Sequence, residues 1–99
     1  MTYSLAFLAP ALKEWKELDE QTRAQFKAKL RERLDNPHVP AARLSGSANR
    51  CKIKLRAAGW RLVYEVRDNE MLVVVIVVCK RDKDAVYRAA KGREGVPGG

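Results

Sequence analysis

The chain is poor in the residues on which most catalytic designs depend. It has one histidine, His38, and two cysteines, Cys51 and Cys79, set apart from each other and from any acidic cluster. A paired-histidine acid–base mechanism has no second histidine to use. No His/Cys/Asp/Glu grouping has the spacing of a metal site, and no P-loop, dinucleotide fingerprint or Gly-x-Ser-x-Gly elbow occurs. The expected metals and cofactors are none. Long hydrophobic runs are also missing: Leu72 to Val78 is seven apolar residues, against the ~20 that span a bilayer as a helix. Met1 to Leu8 lacks the basic n-region of a secretory signal. These absences point to a cytoplasmic protein with free thiols and no membrane partner.

Positive charge is what the chain has in excess. Its 20 Lys/Arg against 12 Asp/Glu leave +8. The distribution is uneven: residues 1–42 carry seven basic and six acidic residues, residues 43–99 thirteen and six. Charge concentrated in one half favours a polyanionic partner, and it also serves solubility.

Periodicity predicts an α+β domain over residues 1–91, followed by a tail, 92–99, whose Gly-rich composition predicts disorder. Tyr3 to Leu8 reads as a short strand. Leu8, Ala11, Leu12, Trp15 and Leu18 recur at helical spacing behind Pro10, and Phe26, Leu30 and Leu34 form a second stripe between Asp19, a predicted N-cap, and the stop at Asn36-Pro37. Trp15 and Phe26 belong to the core of such a helical hairpin rather than to a ligand site. His38 to Arg50 is a loop. Three β-rich runs follow, Cys51 to Arg56, Trp60 to Arg67 and Leu72 to Val78, as an antiparallel meander packed on the hairpin. A short C-terminal helix is predicted over residues 82–91. Asp68, Glu70, Asp82 and Asp84 serve turns, caps and solvation.

Register decides whether the cations form one surface. An even loop between the first two runs places Lys52, Lys54 and Arg56 on the face of Arg61, and Cys51, Ile53 and Leu55 with Trp60, Leu62, Tyr64 and Val66 on the other. A two-residue turn at Asp68-Asn69 then sets Arg67 opposite Glu70, Arg61 opposite Ile76 and Val63 opposite Val74. The third run, apolar on both faces, belongs in the middle of the sheet. Strict alternation puts Lys80 on the face of Arg61. Arg81 reaches that face only if the strand ends, bulges or twists around Cys79. Arg43 and Arg50 extend the charge beside the sheet. Lys52, Lys54, Arg61, Lys80, Arg81 and Tyr87 can surround a phosphodiester, with arginine forking onto phosphate and tyrosine stacking on a base. Spacing alone does not separate that from a solvated basic sheet.

Cys51-Lys52-Ile53-Lys54-Leu55-Arg56, then Gly59-Trp60-Arg61-Leu62-Val63-Tyr64, then Lys80-Arg81 with Val86-Tyr87, resembles the RelE toxins of the RelE/ParE superfamily. The likeness extends upstream through Ala11-Leu12-Lys13-Glu14-Trp15 and covers roughly residues 1–90. It implies a β-α-α-β-β-β fold with a C-terminal helix. It also implies a toxin of a type II toxin–antitoxin system: a metal-independent endoribonuclease that cuts mRNA in the ribosomal A site by attack of the ribose 2′-hydroxyl. By position, Lys52 and Lys54 stand beside the nucleophile, Arg61 holds the phosphate, Arg81 serves the leaving oxygen and Tyr87 stacks on the displaced nucleotide. Arg43, Arg50, Arg56 and Lys80 would add RNA contacts. Implied partners are an acidic RelB-like antitoxin, the ribosome with its rRNA and mRNA, and operator DNA only through the antitoxin complex. This chain has Ser45 before Gly46 where the family often has Arg, and Cys79 where it often has Gly. The rival readings are a ParE-like gyrase inhibitor, which lacks the ribonuclease cations, and a non-catalytic basic nucleic-acid-binding module.

Overall fold

Leu8 marks the point where strand gives way to helix in the computed structural model, which describes residues 2–44, 49–56 and 58–80. Strand β1 (Ser4–Phe7) ends there, and Pro10 lies in the first turn of α1 (Ala9–Lys16), where its fixed φ suits the helix and its missing N–H costs nothing. Helix α2 (Glu20–Asp35) opens on Asp19, whose carboxylate accepts the Thr22 N–H at 3.1 Å, the predicted N-cap. Arg23 reaches back from α2 and donates to the carbonyl of Leu18, satisfying an orphan acceptor just past the end of α1. The hairpin is thus tied at its turn by one carboxylate and one guanidinium.

Most of both predicted stripes is buried: Ala11, Trp15, Leu18, Phe26 and Leu30 join one core with the sheet, Leu34 packs half-buried against it, and Leu12 is half-buried outside it. Trp15 lies between two rings, 5.2 Å from Phe7 on β1 and 6.2 Å from Phe26 on α2. Tyr64 shows which face the helices cover. Its hydroxyl donates to the Pro37 carbonyl at 2.8 Å and accepts from Arg33 Nη1 at 2.9 Å. The face carrying Cys51, Ile53, Leu62, Tyr64 and Val66 is therefore the helix-covered one, and all five residues are buried.

The sheet has four strands in the order β1-β4-β3-β2, with β2 (Arg50–Leu55), β3 (Trp60–Arg67) and β4 (Leu72–Lys80) forming the meander and β1 parallel to β4. The third meander strand lies in the middle, as expected, and Val73 to Val78 are at most 1% exposed. The first hairpin has the even register. Four residues, 56–59, connect Leu55 to Trp60, and Lys54 stands opposite Arg61. Gly59 takes a positive φ of 73° in that loop, where any side chain would meet the backbone.

The second hairpin departs from expectation. Instead of a two-residue turn, Asp68–Glu70 form a 3₁₀ turn and Met71 adopts a left-handed conformation at φ 51°, so Arg67 pairs with Leu72. A bulge follows: Val63 pairs with Val77 but Tyr64 with Val75, leaving Ile76 as the extra residue on β4. Arg61 consequently faces Cys79 rather than Ile76, and Val63 faces Val77 rather than Val74. The longer turn moves the register by two residues and preserves faces, while the bulge moves it by one and reverses them. Lys80 is thereby opposite Trp60, on the face away from Arg61, with its Nζ 6.0 Å from the Trp60 ring centre. Strict alternation failed at the bulge.

Met71 is not a glycine, and a left-handed conformation costs it about 1–2 kcal/mol. It is held by a hydrogen bond at each end: its N–H donates to Asp68 O at 3.1 Å, and its carbonyl accepts from Ser4 N at 2.8 Å. The Asp68 carboxylate staples the turn to two distant segments, accepting from the Tyr3 hydroxyl at 2.6 Å and lying 2.8 Å from His38 Nε2. The predicted helix over 82–91 and the tail 92–99 lie outside the described residues.

Candidate active site

The face of the sheet away from the helices carries the candidate site at one end. Alternation along β2 and β3, with the even loop between them, brings Lys52, Lys54 and Arg61 together there: Lys54 pairs with Arg61 and Lys52 with Val63. Lys54 is exposed, and Lys52 and Arg61 are half-buried. Arg61 Nη1, like Arg23 Nε beside the turn between the helices, is enclosed by protein yet has no hydrogen-bond partner among the described residues; Arg61 differs in standing beside two lysines. A buried charged donor left unsatisfied costs roughly 1–3 kcal/mol or more. Proteins tolerate such a group where a ligand supplies the acceptor. A phosphate oxygen fits that need, because the guanidinium fork matches it and the lysines beside it add charge. The three cations can hold a phosphodiester and stabilise further negative charge developing on it.

The other end of the same face is built differently. Glu65 accepts from Arg50 Nε at 3.0 Å and from Arg67 Nε at 2.9 Å, with the three side chains 17%, 13% and 23% exposed. Burial alone pushes the Glu65 carboxyl up, but the hydrogen bonds from Arg67 and Arg50 outweigh it and hold the group below the usual carboxylate range. Arg50, expected among the RNA contacts, is committed to this network. Arg43 is exposed beside Cys51 at the outer edge of β2, and Arg56 is exposed in the turn after it. Arg81 and Tyr87 lie outside the described residues, as does Ser45.

Several residues that sequence reasoning passed over support the site. Arg33, from α2, donates to Tyr64 and lies 3.5 Å from the Lys52 carbonyl, joining the helix layer to the strand that carries the lysines. Burial raises the Tyr64 hydroxyl to about 12, with Arg33 pulling against it, so this phenol stays protonated as a donor to Pro37. Glu14, from α1, accepts the Val78 N–H at 3.1 Å. The Arg50–Glu65 pair was open to detection, because the first hairpin's register already sets those residues opposite each other. Arg33 and Glu14 sit on amphipathic helices among other charged residues, and nothing in the pattern marks them.

The family described as "ParE toxin of type II toxin-antitoxin system, parDE" matches residues 5–85, nearly the whole of this arrangement. The chain belongs to the RelE/ParE toxin family. Within it, the mRNA interferase toxin RelE of Escherichia coli K12 is 46% identical over 93 residues, which are 94% of this chain and 98% of that protein. A mutant of E. coli RelE solved in the free state superposes with a TM-score of 0.85 at 45% identity, covering 92% of this chain and 96% of that one. RelE in the intact E. coli RelBE toxin–antitoxin complex gives 0.78 at 46% identity, covering 81% and 98%. The RelE/ParE fold thus accounts for the parallel β1–β4 pair, the helical hairpin and the meander in one stroke. Among the described residues, no helix is long and apolar enough to cross a membrane.

Proposed function

We propose that this protein is the toxin of a type II toxin–antitoxin pair and an mRNA endonuclease that acts in the cytoplasm on the ribosome. The observation that carries the reading is the buried Arg61 Nη1, without a partner among the described residues, on one face with Lys52 and Lys54. Lys52 and Lys54 beside it add proton-transfer groups that a passive phosphate-binding module does not need. The 46% identity to proteins named mRNA interferase supports the same reading, as do the solved complexes of relatives with a RelB antitoxin.

In the proposed reaction the ribose 2′-oxygen attacks the adjacent phosphorus, and the bond from phosphorus to the 5′-oxygen breaks. The products are a 2′,3′-cyclic phosphate and a 5′-hydroxyl. Arg61 holds the phosphate and offsets the charge of the phosphorane. Lys52 or Lys54, as general base, takes the proton of the 2′-hydroxyl. Arg81 stabilises the departing oxygen, which takes its proton from water, and Tyr87 stacks on the displaced nucleotide. The A site supplies what this small domain does not carry: a bound, unpaired mRNA in fixed geometry. A RelB-like acidic antitoxin neutralises the site by covering the cations with carboxylates.

Incubation with ribosomes programmed with a defined mRNA tests the reading. Expected are breaks inside the A-site codon, ending in a cyclic phosphate, and no cleavage of the free message. Intact mRNA together with inhibited DNA supercoiling would instead identify a gyrase inhibitor; intact mRNA with binding alone would identify a passive module.

A further inference from the structure

Beyond Val75, strand β4 loses its neighbour. The parallel partner β1 ends at Phe7 opposite Val75, and the chain turns into α1 after Leu8 donates to the Val75 carbonyl at 3.0 Å. Val78 is 1% exposed, so its N–H lies where no water can serve it. Its acceptor is Glu14 Oε1 at 3.1 Å, a side chain from α1 that stands in for the missing strand. Such a long-range bond between a strand amide and a carboxylate is charge-assisted, and stronger than the ladder bond it replaces. Its place in the sheet matters. Val78 pairs with Leu62, and the next pair toward the open end is Cys79 with Arg61.

We infer that Glu14 is a positioning residue for the Arg61 end of the sheet. By fixing Val78 from the outer edge it holds β4 against β3 where Arg61 must meet phosphate. This rests on the proposed function. It adds that the reacting geometry is set from α1, a helix that contributes no group to the chemistry.

Three variants test it on programmed ribosomes, with amide exchange followed on labelled protein. Glu14→Ala removes the acceptor. Its kcat should fall about 10- to 100-fold, the range expected from a misplacement of about 1 Å, with KM little changed. Exchange at Val78 should quicken by about tenfold or more while the β2–β3 pairs stay protected. Glu14→Gln keeps a carbonyl oxygen at the same reach and should restore both the rate and the protection. Glu14→Met keeps the apolar stem without an acceptor and takes the place of the alanine variant should that one not fold. Wild-type cleavage by Glu14→Ala or Glu14→Met would overturn the inference. So would a Gln variant that protects Val78 yet cuts as slowly as Ala, since charge rather than hydrogen-bond acceptance would then be at work. A wild-type protein that leaves programmed mRNA intact would overturn the proposed function itself, and the positioning role of Glu14 with it.

Discussion

One sheet face has two ends that look alike in sequence and differ in chemistry. At one end Arg61 stands beside Lys52 and Lys54 with a buried guanidinium nitrogen that no described group satisfies. At the other, Arg50 and Arg67 share Glu65, and both carboxylate oxygens are taken. Each end has two or three cations on alternating strand positions, so composition and spacing rate them equally. Partnership separates them. A half-buried arginine with a carboxylate is part of the architecture, because its desolvation is offset within the fold. A half-buried arginine nitrogen without one costs stability until a ligand arrives, and such groups collect where function retains them.

Removing Arg61 should have the largest effect. Arg61→Ala is expected to lower single-turnover cleavage on programmed ribosomes by at least ~10²-fold, the scale of losing one preorganised electrostatic contact. Its thermal stability should hold or rise, by up to roughly 1–3 kcal/mol, because a buried unsatisfied donor is removed with the side chain. Loss of fold in this variant would make Arg61 architecture as well. Leu62→Ala, the neighbouring residue on the helix-covered face, should do the reverse. It is fully buried and should cost about 2–5 kcal/mol in denaturant unfolding.

Glu65→Gln sharpens the contrast from the other end. Two guanidinium groups would lose their carboxylate, and the expected destabilisation is roughly 1–3 kcal/mol with cleavage kept within about twofold. Denaturant midpoints together with ribosome cleavage rates read both quantities. A folded Glu65→Gln protein that no longer cuts would place the paired end in the reaction and dissolve the distinction.

Much of this face was open to reading before the fold was known. Lys52, Lys54 and Arg61 gather because the first hairpin alternates cleanly and only an even loop keeps lysines out of the core. The helical hairpin, its Asp19 cap and the central place of β4 follow from patterns of the same kind. The second hairpin resisted. Leu72 to Val78 is apolar at every position, so no alternation opposes a slip, and the bulge at Ile76 leaves no trace in such a run. Met71 in a left-handed conformation is equally silent, since turn chemistry points to glycine or asparagine there. Strict alternation puts Lys80 on the face of Arg61 for that reason alone, and the bulge puts it on the other.

A smaller effect is expected at acid pH, away from both ends of the face. The hydrogen bond from Tyr3, and next that from His38, hold the Asp68 carboxyl below the usual carboxylate range. A carboxyl lowered in the folded state adds stability at pH above its ordinary value near 4, and loses that contribution as pH falls through the lowered one. The gap in unfolding midpoint between wild type and Asp68→Asn should therefore be steady near neutrality and close below about pH 4. A gap that widens on acidification would reverse the sign of this account. The smallest effect expected is none: chelator at concentrations that leave ribosomes intact should not slow cleavage. Activity that vanished and returned only on adding a divalent ion to the toxin itself would require a metal site.

The most direct test sets two arginines of one strand face side by side. After brief induction of wild type, Arg61→Ala and Arg50→Ala, 5′ ends of cellular mRNA are mapped on translated messages. Breaks inside codons should appear with wild type and Arg50→Ala and be absent with Arg61→Ala. Breaks that persist in Arg61→Ala but disappear in Arg50→Ala would contradict the claim that, on this face, the arginine with the unsatisfied nitrogen marks the site.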